Sequence, residues 1–227
     1  MSLTDPTSAR HALRLAAGRT AGGCVLAVAL LACSSPAPVL KQRTYTVPGE
    51  ALRKVAVMPF YARPDFQRAR EPGSIDAGTA ADLVSRFVAE AFTEQRISVV
   101  APSDLALAFM GAGEVTPRLD AAAAAEMGAR KFGASAVLLG EVWRYRDRSG
   151  GGMGASLPSS VGFSVALYAA PSGEVLWTAR FDETQESLMA NPLKARRYPG
   201  GGSRWLTAAE FARWGAGEMA SALLARP

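Results

Sequence analysis

The sequence has 227 residues, of which 25 are basic and 20 are acidic, so its formal net charge is +5. This length suffices for one domain with a substantial interior, and the small excess of positive charge does not indicate a nucleic-acid partner or an acidic substrate. One histidine and two cysteines are present, which leaves few side chains for the common transition-metal sites.

An apolar run near the N-terminus, Ala21–Cys33, predicts a secretory signal peptide. It comes after Arg10, Arg14 and Arg19, and a Ser/Pro-rich stretch follows it at once. A basic flank, an apolar stretch of about a dozen residues and small residues before the cleavage site are typical of export signals, and such a stretch is too short to span a bilayer as a helix. We therefore expect a signal peptide over residues 1–32.

The last four residues of this run, Leu30-Leu31-Ala32-Cys33, resemble the lipobox of bacterial lipoproteins. The resemblance implies cleavage after Ala32, diacylglycerol on Cys33 and an acylated new N-terminus. Ser34 is not the aspartate that usually retains lipoproteins at the inner membrane, so the implied location is the periplasmic face of the outer membrane. A plain cleaved signal peptide and an uncleaved anchor are the two alternatives.

Removal of residues 1–32 changes the chemistry that is left. His11 and Cys24 are removed with this leader, and the net charge falls to about +3. The remaining chain then has no imidazole, and its one cysteine, Cys33, is a thioether. This excludes zinc sites built on His and Cys, Ser-His-Asp and Cys-His catalysis, and a disulfide within the domain. Carboxylate pairs and Ser-Lys chemistry are not excluded.

The predicted elements begin after the leader. Residues 33–50 contain three prolines and no helical period, so they predict a lipidated N-terminus and flexible tether, and residues 51–227 predict the folded domain. The Val-rich run Lys54–Phe60 is typical of a strand buried on both faces. Apolar residues at helical spacing predict an amphipathic helix whose N-cap is Ser74 or Asp76. Ile97–Ala101 predicts a second strand.

Two further helices and a strand follow. One helix begins near Pro102, with Ser103 as its candidate N-cap, and stops at Gly111. The next runs from Asp120 to Lys131 and is closed by Gly133. The segment Ala134–Tyr145 is apolar at first and alternates later. It therefore predicts a strand that begins inside the sheet and emerges toward solvent.

Two runs of alternating apolar and polar residues, Val161–Tyr168 and Glu174–Phe181, predict an antiparallel hairpin with one face inward. Thr207-Ala208-Ala209-Glu210 has the pattern of a capping box and predicts the start of a final helix. The predicted order is β-α-β-α-α-β-β-β-α. This order indicates a single domain of the α/β class (α+β mixed), whose sheet is parallel where helices connect strands and antiparallel where turns are short.

The succession of these segments resembles a family of bacterial envelope proteins. The segments between Leu52 and Glu186 that carry the resemblance are K-V-A-V-M-P-F, I-S-V-V-A-P-S-D-L, G-A-S-A-V-L-L-G-E-V-W-R-Y and V-A-L-Y-A-A-P-S-G-E-V-L-W. They are similar to the periplasmic α/β domain of the curli-secretion lipoprotein CsgG, to the lipoprotein activator of penicillin-binding proteins, LpoB, and to the N-terminal domain of TolB. The resemblance implies an outer-membrane-anchored domain that works through protein contacts.

A structural subunit of a CsgG-like secretion assembly is the alternative function. A pore subunit needs membrane hairpins whose strands have about nine to eleven residues with alternating apolar positions. The two candidate segments, Arg146–Ser160 and Thr184–Trp205, lack such an alternating run. We therefore do not expect pore formation.

Two sets of residues are weak candidates for chemistry. The glycine-rich stretches Ser149–Gly154 and Gly200–Ser203 lack the Lys-Ser/Thr of a phosphate-binding loop, so we interpret them as flexible connections. Asp182, Glu183 and Glu186 are candidate carboxylates for acid–base catalysis. They lie at a strand end beside a loop, where solvated charge is the ordinary interpretation.

The candidate partner-contact surface combines basic and aromatic residues in the long irregular segment after the hairpin. Arg, Tyr and Trp are favoured at interfaces, so this surface suits an anionic polymer or a protein partner. In the alternative interpretation the aromatic side chains fix the segment to the core and the cations stay in solvent. The residues of the predicted surface are Arg196, Arg197, Tyr198, Arg204 and Trp205.

Together these observations predict a non-enzymatic scaffold or activator in a cell-envelope complex. We expect the acylated Cys33 to bind the lipid bilayer and the domain to bind a periplasmic or outer-membrane protein partner. Both interactions are compatible with an oligomer of this chain. We expect no catalytic residue, cofactor, metal or nucleic-acid partner. A carboxylate-dependent envelope hydrolase is the least favoured alternative.

Overall fold

A computed structural model describes residues 39–66, 73–113 and 120–225 of the chain. The strands in these residues are β1 (Leu40–Thr44), β2 (Lys54–Val57), β3 (Tyr61–Ala62), β4 (Ser98–Val100), β5 (Ala136–Arg146), β6 (Ser149–Gly151), β7 (Gly154–Leu157), β8 (Ser160–Ala169) and β9 (Val175–Thr184). The α-helices are α1 (Ala77–Glu94), α2 (Pro102–Gly111), α3 (Ala121–Phe132), α4 (Pro192–Ala195) and α5 (Ala208–Leu224).

The main sheet has the strand order β1-β9-β8-β5-β2-β4, and β3 pairs with β5 next to β2. β2 runs parallel to β4 and to β5, whereas β5, β8, β9 and β1 pair antiparallel in succession. Helices connect the parallel strands, and a short turn connects β8 to β9. The predicted single domain with a mixed sheet is confirmed.

The N-cap of α1 is Asp76, one of the two predicted candidates, and the N-cap of α3 is Asp120, where the sequence predicts a helix to start. The Asp76 carboxylate accepts a hydrogen bond from the backbone N–H of Thr79 at 2.9 Å, and Asp120 accepts one from Ala123 at 3.0 Å. Each bond satisfies an N–H group that has no partner inside the helix. Gly133 ends α3 with φ of 61°, a left-handed conformation that glycine adopts without a steric cost.

The other two long helices begin differently from each other. Thr207 and Glu210 form the predicted capping box at the start of α5. In α2 the N-cap position is Ala101 rather than the predicted Ser103, and no side chain caps the helix. Pro102 occupies the first turn of α2, where the N–H that proline lacks has no helical partner in any case.

Helices cover the two faces of the sheet unequally. α1 and α5 pack over one face, where their apolar residues meet the inward side chains of β5, β8 and β9, including Phe163, Trp177 and Phe181. α2 and α3 pack over β2, β4 and the first half of β5 on the other face. On that second face, none of the described helices packs over the remainder of β5 or over β9 and β1.

The first strand differs from the prediction of a flexible tether over residues 33–50. Leu40–Thr44 pairs with β9 along its whole length, from Leu40 opposite Phe181 to Thr44 opposite Trp177. Only Leu40 is buried in this strand. A strand with four exposed residues has no alternating apolar pattern, so its sequence does not reveal it. The folded part therefore begins before residue 51, and residues 33–38 lie outside the described residues.

The stretches after β5 and β9 also contain more structure than the sequence predicts. Ser149–Gly154, predicted as a flexible connection, contributes to a two-stranded ribbon of β6 and β7. The segment 185–206 contains α4 and a 3₁₀ turn at Pro199–Gly202. The backbone N–H of Trp205 donates to the carbonyl of Gly152 at 2.7 Å, so the ribbon and the segment support each other.

Two glycines of α5 give a matched test of this packing. A Cβ at Gly215 would lie 2.8 Å from the Phe181 ring, whereas a Cβ at Gly217 would meet nothing within 4 Å. Alanine favours a helix over glycine by about 1 kcal/mol, but overpacking costs about 1–3 kcal/mol. We expect Gly215→Ala to lower the free energy of unfolding by about 1–2 kcal/mol and Gly217→Ala to raise it by about 0.5–1 kcal/mol. Urea unfolding followed by circular dichroism measures both, and equal effects would contradict the close approach.

Candidate functional site

Tyr198 is buried, which corrects the prediction that it belongs to a contact surface. Only 2% of Tyr198 is exposed, and its ring meets Phe211 and Trp214 edge to face at 5.6 and 5.4 Å between centroids. Its hydroxyl accepts a hydrogen bond from the backbone N–H of Glu186 at 3.2 Å. An aromatic residue with this environment fixes the segment to the core, as in the alternative interpretation.

The remaining residues of the predicted surface differ in their exposure and in their partners. Arg204 makes a bidentate pair with Glu210, at 2.9 and 2.8 Å, and so belongs to the cap of α5. Trp205 is half-buried beside the ribbon, Arg197 is half-buried, and Arg196 is exposed. Because Tyr198 is buried and Arg204 is paired, fewer of these side chains are available for contact than the sequence predicts.

The Arg204–Glu210 pair predicts how stability depends on pH. Arg204 and Thr207 lower the pKa of Glu210 from 4.5 to about 2. A carboxylate whose pKa is lowered in the folded state stabilises it above its unfolded pKa, and this stabilisation is lost as pH falls toward the folded pKa. We expect the difference in unfolding free energy between the native protein and Glu210→Gln to be full above pH 4.5 and to vanish near pH 2. Urea unfolding across this range checks it, and a constant difference would contradict it.

Glu183 and Glu186 are held by one lysine. The Lys194 ammonium lies 2.7 Å from Glu183 Oε2 and 2.7 Å from Glu186 Oε1, and Asn191 donates to the other oxygen of Glu186 at 3.0 Å. The hydrogen bond from Lys194 lowers the pKa of Glu186. These contacts support the fold of the segment 185–206, and neither carboxylate is positioned as a free base.

Asp182 lies on the opposite side of β9 from its neighbour Glu183, because successive strand residues point to opposite faces. Arg144 and Arg180 donate to its two oxygens at 2.5 and 2.6 Å. Burial alone would raise the pKa of Asp182, but the bonds and charges of the two arginines outweigh it, so the pKa is lowered. The structure therefore separates Asp182 from Glu183 and Glu186 and places it on a different surface.

That surface is the part of the second sheet face that no described helix covers. We call it the open face. By strand alternation and side-chain contacts it comprises Lys41, Arg43, Tyr61, Arg63, Glu141, Trp143, Arg144, Ser164, Thr178, Arg180 and Asp182. Basic and aromatic side chains predominate, which is a composition favoured at protein interfaces.

Trp143 lies at the centre of the open face. The register between β5 and β8 shifts at this residue, and such a bulge redirects a side chain. The indole lies over Gly162, where a Cβ would overlap the ring. The guanidinium carbons of Arg180 and Arg63 lie 4.0 and 5.6 Å from the indole ring centroid, within the range of cation–π attraction. These contacts leave Trp143 only 8% exposed, although no described helix covers it.

Glu141 organises the polar side of the open face. Its carboxylate accepts hydrogen bonds from the Tyr61 hydroxyl at 2.6 Å and the Ser164 hydroxyl at 3.0 Å, and Arg63 lies 3.7 Å away. Burial, and then the bond to Glu141, raise the pKa of Tyr61 to about 12. Both oxygens of Glu141 thus have partners, and Tyr61 stays protonated at neutral pH.

A groove of about 360 Å³ runs beside this cluster, and its lining includes Lys41, Tyr61, Thr178 and Arg180. The size lies at the low end of the range for small ligands. Lys41 is exposed, and its ammonium forms no ion pair or hydrogen bond within the described residues. The groove therefore presents an available cation and hydroxyl groups, an arrangement that recognises carboxylates or backbone carbonyls.

Sequence reasoning located only part of this surface. The alternation in Val161–Tyr168 and Glu174–Phe181 predicts a face of the hairpin that points away from the core, and Ser164, Thr178 and Arg180 lie on it. The shift in register at Trp143 and the pairing of β1 have no local signal in the sequence, because both depend on contacts between residues far apart in the chain.

Two properties of residues 39–66, 73–113 and 120–225 bear on the type of site. No group of three or more His, Cys, Asp or Glu side chains in these residues is placed to hold a metal ion. No helix in the same residues is long and apolar enough to cross a membrane. Cys33 and its lipobox lie outside the described residues.

Comparisons with known proteins show likeness at the level of structure. No family model matches the sequence, and no curated protein matches it. A PelC dodecamer from Paraburkholderia phytofirmans is 20% identical, with a TM-score of 0.46, over 83% of this chain and 99% of that chain. Lipoprotein GNA1162 from Neisseria meningitidis is 19% identical, with a TM-score of 0.42, over 63% and 92% of the two chains.

The LpoB C-terminal domain from Salmonella enterica is 18% identical, with a TM-score of 0.39, over 59% of this chain and 84% of that domain. LpoB is one of the proteins to which the order of the predicted segments is similar. The resemblances to CsgG and to TolB stay predictions.

Proposed function

We propose that the protein is a lipid-anchored, non-enzymatic component of the bacterial cell envelope that binds a partner protein through the open face. The observation that carries this proposal is the stacking of Arg180 and Arg63 on the indole of Trp143, on a sheet face that no described helix covers. Aromatic and arginine side chains on a rigid sheet are the residues that most often dominate the energy of an interface. This surface replaces the segment 196–205 as our candidate for partner contact.

The state of the carboxylates supports a binding role over catalysis. A general base needs a carboxylate that can reach the substrate and exchange a proton near neutral pH. Glu141 is engaged by two hydroxyl groups, and Asp182 is engaged by two arginines that lower its pKa. These groups position the neighbouring side chains, which favours a binding role over the hydrolase alternative.

The lipobox sequence supports the anchor, and a matched pair of variants tests it. We expect Cys33→Ala to leave a larger precursor and to release the protein from outer-membrane fractions, because the acyl chains supply about 0.8 kcal/mol per buried CH₂ group. Cys24→Ala changes the other cysteine of the chain and should leave size and location unchanged. Gel mobility and membrane fractionation measure both, and identical behaviour of the two variants would contradict acylation at Cys33.

Photo-crosslinking in intact cells tests the open face. A benzophenone amino acid in place of Thr178 sits on the open face, whereas one in place of Arg86 sits on the exposed side of α1. We expect a discrete crosslinked protein at position 178 and none at 86, and we expect Trp143→Leu to abolish the product. Equal labelling at both positions, or labelling that survives Trp143→Leu, would remove the open face from the proposal.

A further inference from the structure

The outer edge of β1 is an open hydrogen-bonding edge. β1 pairs with β9 on one side, and no strand in the described residues pairs with its other side. Tyr45 donates its backbone N–H to Leu176 at 3.0 Å. Because inward and outward groups alternate along an antiparallel strand, the backbone groups of Lys41 and Arg43 also point at β9, and those of Gln42 and Thr44 point outward.

The side chains next to this edge are cationic. Lys41 and Arg43 lie opposite Arg180 and Thr178 in the β1–β9 ladder and so share the open face with them. Both are exposed, and no carboxylate in the described residues forms a recorded ion pair with either. The outward backbone N–H and C=O groups of Gln42 and Thr44 therefore lie beside the cationic side chains of Lys41 and Arg43.

A second copy of the chain fits this edge poorly. Two β1 strands paired antiparallel about a two-fold axis would bring Lys41 and Arg43 against the same residues of the other copy, and like charges directly opposite each other are destabilising. The other edge of the sheet, β4, offers only Ser98, Val99 and Val100. Neither β1 nor β4 of a second copy would place a carboxylate opposite Lys41 or Arg43.

We propose that an extended acidic segment of the partner protein adds to the edge of β1 as an antiparallel strand. Its backbone bonds to Gln42 and Thr44, and its carboxylates, at alternate residues, lie opposite Lys41 and Arg43. In such non-hydrogen-bonded pairs the Cα atoms are about 4.5 Å apart, so the opposing side chains meet. The inference rests on the proposed function, because it names the chemistry of the partner that binds beside the open face.

Labelled peptides test this pairing on the purified full-length protein in detergent. The probe is a peptide of about ten residues with alternating Glu and Thr, and a Lys-Thr peptide of the same length is the charge control. We expect anisotropy to report binding of the Glu-Thr peptide and at least tenfold weaker binding of the Lys-Thr peptide.

N-methylation separates strand pairing from charge attraction. In the proposed register the Thr residues of the probe donate their N–H groups to β1, whereas those of the Glu residues point away. Methylation of the Thr nitrogens should weaken binding at least tenfold, and methylation of the same number of Glu nitrogens should not. Equal loss with the two peptides, or no loss with either, would overturn the pairing.

Charge reversal completes the test. We expect Lys41→Glu with Arg43→Glu to weaken binding of the Glu-Thr peptide at least tenfold, and Arg86→Glu with Lys131→Glu, exposed on α1 and α3, to leave it nearly unchanged. Absence of peptide binding, or self-association that the β1 variant abolishes, would overturn the inference. Crosslinking at position 178 in cells does not depend on these peptides. Loss of peptide binding with crosslinking retained would therefore contradict the strand pairing alone and leave the proposed function intact.

Discussion

Phe181→Ala should lower the free energy of unfolding by about 3–5 kcal/mol, the usual cost of removing a fully buried phenylalanine side chain. Phe181 has no exposed surface. Its ring lies 5.4, 5.7 and 5.6 Å from the rings of Phe163, Phe211 and Trp214. These neighbours come from β8 and α5, so the cavity would open where the sheet meets the helix. Because both elements are held by other contacts, the cavity would collapse only in part.

Urea unfolding followed by circular dichroism measures this loss. Tyr45→Ala is the control, since Tyr45 is 48% exposed and surface substitutions usually change stability by less than about 0.5 kcal/mol. The Arg43–Tyr45 contact adds a small further effect. A loss below about 1 kcal/mol for Phe181→Ala would mean that the aromatic cluster does not hold α5 to the sheet.

The elements that the sequence predicts well are those whose signals are local. Asp76 and Asp120 cap helices because a short acceptor side chain reaches an N–H group three residues ahead. The capping box at Thr207 and the left-handed Gly133 act over similarly short distances. The hairpin of β8 and β9 alternates along most of its length, so its inward face can be predicted before any contact is known.

The features that the sequence predicts poorly depend on distant partners. β1 has one buried residue, and its strand conformation comes from pairing with a segment more than a hundred residues away. Tyr198 lies among arginines in the sequence, which is typical of an interface. In the structure its ring is buried against Phe211 and Trp214. The side-chain direction of Trp143 follows from a bulge that no local pattern announces.

The unequal packing of helices on the two faces of the sheet explains both the stability of the domain and its exposed surface. α1 and α5 bury one face of the sheet, which gives the domain its larger core. α2 and α3 extend only over the parallel half of the other face. The antiparallel half must therefore remain soluble without a helix above it, and its ion pairs and stacked arginines achieve this. A partner that replaces water there meets side chains that are already ordered, which lowers the entropic cost of binding.

Gly162→Ala should displace Trp143 and destabilise the domain by about 2–4 kcal/mol, from overpacking together with lost burial of the indole. A Cβ at Gly162 would overlap the indole. β8 pairs with β5 on one side and β9 on the other, so its backbone cannot move away. The indole must leave instead, and the contact with Arg180 is lost with it. We expect tryptophan emission to shift to the red and partner capture at position 178 to fall.

A double variant shows whether the clash is the cause. Trp143→Ala removes the ring that a Cβ at position 162 would meet, so Gly162→Ala should cost less than about 1 kcal/mol further in that background. Gly151→Ala is the matched control, since a Cβ there meets nothing within 4 Å. If Gly162→Ala costs the same with and without Trp143, the indole does not rest on β8, and the open face is not organised around Trp143. If the costs differ as expected, Gly162 is the residue that allows a bulged tryptophan to lie flat on the sheet, where the indole supports the Arg180 guanidinium that a partner would meet.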